Sequence, residues 1–323
     1  MIKRLPIDPF LLKLFATVAL ASLLPAQGWG VPLFQHITQI AIALLFFLHG
    51  ARLSREAIWG GLSHWRLHLL ILSVTFLLFP ILGSGVAAVL RPWLTDNLYL
   101  GILFLACLPS TVQSAVALTA MARGNVPVSI CSASASTLLG VFITPLLVGI
   151  MLAGATSAQA TVSLEAVGKI MLQLFLPFVF GHLLRPVIGA WVMKRQQLLK
   201  VVDQGSILLV VYTAFSGAVV GGLWSSTPLS ALGLIVLSNA VLLTLAQLLA
   251  WNLGRWLGFS FEDRVSLLMC GSNKSLSSGI PIANVIFPSA MVGPIILPIM
   301  LFHQWQLLVC AWLAKRLAAR SEH

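Results

Sequence analysis

A single lysine lies in the middle of a long apolar run, among small polar side chains. The polar residues around Lys274 are Ser272, Asn273, Ser275, Ser277 and Ser278. An ammonium group there can hydrogen-bond to carbonyl and hydroxyl oxygens, meet an anionic substrate, or exchange a proton as a coupling group. A charge at the centre of a bilayer costs roughly 2.5 to 3.5 kcal/mol on insertion scales, so such residues usually face a cavity or a partner. We therefore take Lys274 as the centre of a predicted site.

A second polar cluster interrupts an earlier apolar run. It comprises Cys107-Leu-Pro-Ser-Thr-Val-Gln-Ser114 and supplies the candidate binding residues Ser110, Thr111, Gln113 and Ser114. Proline removes a backbone donor, and hydroxyl side chains compete for backbone hydrogen bonds, so both clusters predict a broken helix. Matched breaks in the two halves of a chain indicate a binding site near the membrane midplane. Close helix packing is the alternative role for such small residues.

The next apolar run carries a stripe of hydroxyl groups. Ser129, Ser132 and Ser136 share one helical face. They could supply hydroxyl oxygens to the break at Pro109, and helix packing would account for them equally well. With them, the predicted substrate- or ion-binding set is complete.

The elements that position these residues must lie in lipid. The chain has 323 residues, of which 59% are hydrophobic and 8% charged, which is too little polar surface for a soluble globule. Its net charge of +11 does not indicate nucleic acid, because the basic residues lie between apolar runs. The runs predict an all-α polytopic membrane protein with ten spans. They cover 10–27, 31–50, 65–90, 97–121, 126–153, 162–184, 204–223, 229–253, 265–287 and 292–313.

Charge orients the spans. All but three of the nineteen Lys and Arg residues fall on the side of the two termini, the exceptions being Arg91, Lys169 and Lys274. The positive-inside rule then predicts a bacterial inner-membrane protein with both termini cytoplasmic. The first span could also be a cleaved signal peptide, but its removal would leave nine spans and spoil the charge pattern.

Five spans precede residue 155 and five follow it. An odd number per half predicts two inverted repeats, 1–155 and 156–323, within a single transporter unit. The eight acidic residues lie at predicted span ends or in loops, so Lys274 has no carboxylate partner within the membrane. The cysteines lack metal-ligand spacing, and the histidines are best interpreted as interfacial residues. We expect no metal, no cofactor and no enzymatic activity. A serine beside a lysine can be catalytic, as Ser272 or Ser275 beside Lys274 would be, but an enzyme is the least favoured interpretation.

Three segments spread over nearly the whole chain resemble the bile acid:sodium symporter family, solute carrier family 10. They are Phe47-Leu-His-Gly-Ala-Arg-Leu53, Ala122-Arg-Gly-Asn125, and Lys274-Ser-Leu-Ser-Ser-Gly-Ile-Pro281. The last is most similar to the branch with bacterial symporter-like members and the seventh human member. The resemblance implies a panel domain from spans 1, 2, 6 and 7, a core domain from the other spans, and discontinuous helices 4 and 9 that cross at their unwound centres.

The chain departs from the sodium-binding residues of that family. The resemblance aligns Ser272 with a family glutamate and Lys274 with a family glycine, while Ser114-Ala115 replaces a Ser-Asn pair. Loss of the carboxylate removes the strongest ligand of a hard cation, and a neighbouring ammonium repels sodium. Lys274 would then act as a built-in cation or as a proton-binding coupling group.

The predicted function is secondary transport of a small organic solute, anionic and amphipathic, by alternating access in the lipid bilayer. Sodium or a proton is the possible coupling ion. The alternative is a channel-like or non-transporting membrane regulator on a transporter scaffold, which would fit the loss of sodium ligands.

Overall fold

The computed structural model describes residues 9–52, 64–153, 164–226 and 228–320, and these residues are almost entirely helical. The first half contains α1 (Pro9–Leu23), α2 (Gly30–Arg52), α3 (Trp65–Ser73), α4 (Phe79–Leu90), α5 (Asp96–Ala106), α6 (Val112–Met121) and α7 (Val126–Ala153). A π-helical turn, Val74–Leu78, joins α3 to α4, and a 3-10 turn, Arg91–Trp93, follows α4. The second half contains α8 (Leu164–Lys194), α9 (Gln196–Val220), α10 (Leu223–Ser226), α11 (Leu229–Trp256), α12 (Phe261–Ser272), α13 (Leu276–Ile286) and α14 (Ser289–Arg320).

The number of spans differs from the ten predicted. Within the described ranges, seven helices are long and apolar enough to cross a membrane, or eight if the bent pair α5 and α6 is one span. The first predicted span appears as α1, with only 15 residues. The ninth appears as two shorter helices, α12 and α13. Ten spans and the inverted repeats stay predictions, and the repeat boundary near residue 155 lies outside the described residues.

The chain divides into two compact units. The first comprises Met1–Leu53, Ser163–Pro228 and Ile280–Ile296, and the second comprises Ser54–Val162, Leu229–Gly279 and Leu297–His323. The first unit therefore contains spans 1, 2, 6 and 7, the set that the family resemblance assigned to a panel domain. It also takes the end of α13 and the start of α14, which the resemblance assigned to the core.

The first unit depends on close contact between α2 and α8. A β-carbon at Gly50 would overlap the carbonyl oxygen of Phe178, and one at Gly181 would overlap that of Phe47. Two helix backbones approach this closely only where small residues leave room, as in many membrane interfaces.

The second unit is built around α12. Leu267 and Cys270 pack against α3 and α7 in one apolar cluster. Val265, Leu268 and Met269 pack against α6 and α14 in another. Helix α12 is thus packed on several sides by other helices of the unit. These contacts fix its C-terminal end, which leads to Lys274.

Substitution at Gly50 tests the contact between α2 and α8. Gly50→Ala should destabilise the protein by at least the roughly 1–3 kcal/mol typical of overpacking, because backbone atoms cannot move aside as a side chain can. Gly205→Ala is the matched control: it lies inside α9 of the same unit, and its β-carbon meets nothing within 4 Å. Thermal unfolding in detergent should show a lower melting temperature for the first variant only. Equal melting of the two variants would contradict the contact.

Candidate functional site

The fourth predicted span breaks at Pro109. Helix α5 ends at Ala106 and α6 begins at Val112, with a bend of 60° between them. The last turn of α5 tightens, with Cys107 N bonded to Phe104 O and Leu108 N to Leu105 O. The next donor in that series would be the N–H of residue 109, which is proline. The carbonyl of Ala106 therefore has no hydrogen-bond donor within its own helix.

The ninth predicted span breaks at Asn273, Lys274 and Ser275, between the end of α12 and the start of α13. Asn273 is extended, with φ −87° and ψ 142°. The two breaks contact each other. Ser275 donates its N–H to the Pro109 carbonyl at 2.9 Å, and Ser110 Oγ donates to the Cys270 carbonyl at 2.6 Å.

The Lys274 ammonium group lies at this crossing and is fully buried. Its Nζ donates to three main-chain carbonyls, those of Leu108 at 2.7 Å, Thr75 at 2.8 Å and Ala106 at 2.9 Å. An ammonium has three N–H donors, so all of them are used within the protein. The ring of Phe79 covers the group, with its centroid 4.2 Å from Nζ.

The Thr75 carbonyl also lacks a hydrogen-bond donor within its own helix. The turn Val74–Leu78 is π-helical, and Phe79 N–H bonds to Val74 O, five residues back. The next such donor, opposite Thr75 O, would be residue 80, which is proline and has no N–H. Two prolines, Pro80 and Pro109, thus free two of the three carbonyls that Lys274 binds.

Gln306 of α14 holds the backbone of Lys274. Its Oε1 accepts the Lys274 N–H at 2.7 Å, and its Nε2 donates to the Lys274 carbonyl at 2.9 Å. This side chain replaces the helical neighbours that an unwound residue lacks. Gln306 Nε2 also lies 2.8 Å from Nδ1 of His303.

Several of the predicted site residues join the crossing. Ser136 Oγ accepts the Ser110 N–H at 2.9 Å, which satisfies a donor that the break releases. Ser275 Oγ accepts the Ser278 N–H at 3.2 Å at the start of α13 and lies 3.1 Å from Ser277 Oγ. Asn273 is buried, and its Oδ1 accepts from Cys310 Sγ at 3.3 Å.

Other predicted residues have different partners. Ser114 of α6 donates to Thr111, the residue just before that helix, and Gln113 of α6 is exposed. Ser272 bonds back to the Leu268 carbonyl of its own helix at 2.7 Å. The remaining hydroxyls of the α7 stripe bond away from Lys274: Ser129 donates to Thr119, and Ser132 lies 2.6 Å from Nδ1 of His68.

Three contributors to the crossing were missed by the sequence interpretation: Thr75, Phe79 and Gln306. Pro80 inside an apolar span was a visible signal that a carbonyl about one turn earlier would lack a partner. Gln306 was visible as an uncharged polar residue inside an apolar run, although its partner was not. His303, taken as interfacial, lies in the middle of α14.

A comparison with known proteins finds matches over nearly the whole chain. The SBF-like CPA transporter family matches residues 8–319. The chain belongs to that family. An uncharacterized protein of Pseudomonas aeruginosa is 55% identical over 315 residues, which cover 98% of this chain and 94% of the relative. The "putative symporter YfeH" of Escherichia coli is 52% identical over 321 residues, with the same coverage. "Sodium/bile acid cotransporter 7" of Danio rerio is 26% identical over 315 residues, 96% of this chain and 93% of the relative. The resemblance to the bile acid:sodium symporter family is thereby confirmed.

A double-mutant cycle tests the link between Pro80 and Lys274. Lys274→Met should destabilise the protein by several kcal/mol, on the order of 1–3 kcal/mol for each carbonyl left unpaired. Pro80→Ala supplies an N–H near Thr75 O, so it should recover about 1 kcal/mol in the Lys274→Met background and little or nothing in the wild type. Unfolding in detergent measures all four proteins, with exposed Lys200→Met as the charge-removal control. Additive effects of the two substitutions would rule out the link.

Proposed function

We propose that this protein is a secondary active transporter for an amphipathic organic anion, in which the Lys274 ammonium replaces a coupling sodium ion. Transport proceeds by alternating access. The observation that carries the proposal is the binding of Nζ by three carbonyls at the crossing of two broken helices. Carbonyl oxygens in such a cage are also the ligands that a hard cation prefers.

The charge balance around the crossing supports an anionic substrate. The sequence contains no Asp or Glu between residues 57 and 95, between 97 and 164, or between 264 and 321. Among the described residues, three carbonyl dipoles and the Phe79 ring surround the charge of Lys274, and no carboxylate bonds to it. The N-terminal ends of α6 and α13 add partial positive charge at the same breaks. An anion entering this region meets a positive potential that it can neutralise.

The ammonium supports the crossing without binding the substrate directly. All three N–H donors of Lys274 are engaged, so its contribution to an anion is long-range attraction. The substrate oxygens would instead find donors among hydroxyl groups at the start of α13, where Ser277 is half-buried. The same proposal places the chain in a bacterial inner membrane with both termini cytoplasmic, as the distribution of Lys and Arg favours.

A channel-like or regulatory protein is the competing function, and the same cage motivates it. A cation that is covalently tethered cannot leave, so a gradient of free sodium cannot drive the cycle. Such a protein could still allow a solute to follow its own gradient.

Uptake by proteoliposomes containing the purified full chain separates these functions. Bile acids and other amphipathic organic anions would first be screened by thermal shift, and stabilising compounds would be used in radiolabelled form. We expect saturable, concentrative uptake that is unchanged when choline replaces sodium. Lys274→Ala should lower the uptake at least tenfold, and exposed Lys200→Ala should not change it.

Two other results would contradict the proposal. Uptake that only equilibrates with the external concentration would favour the channel. Concentrative uptake that requires sodium would overturn the replacement of sodium by Lys274.

A further inference from the structure

The amide of Gln306 can have only one orientation. A backbone N–H always donates and a backbone carbonyl always accepts, so Oε1 must face the Lys274 N–H and Nε2 must face the Lys274 carbonyl. The second hydrogen of Nε2 then points to His303 Nδ1, 2.8 Å away. His303 Nδ1 must therefore be the acceptor of this hydrogen bond.

His303 is therefore neutral in this structure, with its proton on Nε2. Nδ1 holds a lone pair, because a hydrogen on that atom would face the hydrogen of the Gln306 amide. Turning the amide over does not help, since its NH₂ group would then face the Lys274 N–H. The imidazolium form of His303 is incompatible with the hydrogen bond that Gln306 Nε2 donates to Nδ1.

Lys274 cannot lose a proton without breaking one of its three hydrogen bonds. Removing a proton from Nζ would leave one of three buried carbonyls unpaired, which is costly in lipid. His303, bonded to the same Gln306, has a ring nitrogen that can accept a proton. The side-chain amide of Gln306 links His303 to the backbone of Lys274 by hydrogen bonds.

The other ionisable groups near this part of α14 can be named from the elements that pack on it. Contacts such as Phe79 with Phe302 and Gln247 with Cys310 bring α4 and α11 against α14. α4 and α6 carry none, and α11 carries only Arg255, in its last turn. The groups on α12, on the break and on α14 itself are Glu262, Asp263, Arg264, Cys270, Lys274, Cys310, Lys315, Arg316 and Arg320. The three charged groups of α12 lie in its first turn, at the end opposite the break.

We infer that the proton is the coupling ion of this transporter, that His303 binds it, and that Gln306 transmits its binding to the break at Lys274. The inference rests on the proposed transport function and deepens it. A proton from water adds to the lone pair of His303 Nδ1, and the Gln306 Nε2–H bond to that atom is lost. The new Nδ1–H faces the NH₂ group of Gln306, and their repulsion weakens the two bonds from Gln306 to the backbone of Lys274. The crossing loosens when the proton binds and tightens when it leaves.

Nitrogen NMR of histidine-labelled, detergent-purified full chain tests the site without a substrate. The signal that disappears in His303→Asn identifies the residue. We expect the neutral Nε2–H tautomer near pH 8 and protonation of Nδ1 as the pH falls. A His303 ring with a proton on Nδ1 near pH 8 would overturn the inference, whatever transport assays show.

Thermal unfolding as a function of pH tests the connection to Lys274. Protonation costs the folded state a hydrogen bond, so the wild-type melting temperature should fall by roughly 2–4 °C between about pH 8 and about pH 5. His303→Asn keeps an acceptor oxygen near the position of Nδ1 and cannot be protonated there, so this fall should disappear. Gln306→Leu should melt lower at every pH and also lose the fall. Exposed His36→Asn is the matched control and should behave as wild type.

The two proposals fail in different ways. If the pH-dependent fall persists unchanged in His303→Asn, His303 is not the proton site, although the protein can still be a transporter. If the titration occurs as expected but uptake is never concentrative, the proposed function fails while the proton-sensitive contact stands.

Discussion

The structure depends on one interaction, the donation of three hydrogen bonds by the Lys274 ammonium to main-chain carbonyls. In a membrane, every backbone group must find a partner within the protein. Pro80 and Pro109 deprive the carbonyls of Thr75 and Ala106 of their helical donors, and the break after Leu108 does the same for a third. One buried cation satisfies all three, and the carbonyls in return make its burial tolerable.

Other residues at the crossing provide hydrogen-bond partners for further unpaired backbone groups. Ser136 accepts the Ser110 N–H, Ser275 N–H pairs with the Pro109 carbonyl, and Gln306 pairs with both backbone groups of Lys274. Each partner comes from a different element, so the breaks are held by tertiary contacts and not by helix propensity. Breaking and remaking a few such hydrogen bonds is a smaller change than unfolding a helix, which suits the proposed transport by alternating access.

Much of this site could be predicted from local sequence, because proline and clustered serines disrupt a helix and a lysine within an apolar run needs polar partners. Breaks at Pro109 and Lys274 were predicted from those residues alone. The partners could not be predicted in the same way, since Thr75 is 199 positions from Lys274 and no local pattern joins them.

Serines were the least predictable residues. Ser272 bonds back to its own helix and Ser132 pairs with His68, choices that depend on side-chain direction and on neighbours. The span count differs because α1 is short and the ninth span is broken into pieces shorter than a membrane crossing.

The central claim is that a tethered ammonium occupies the place of a free cation. Calorimetric titration of sodium into the purified wild-type chain and into Lys274→Ala tests it most directly. The account predicts no sodium binding in the wild type, because the three carbonyls are already occupied, and saturable binding in Lys274→Ala, where they are vacated. Saturable sodium binding to the wild type that is unchanged in Lys274→Ala would contradict it.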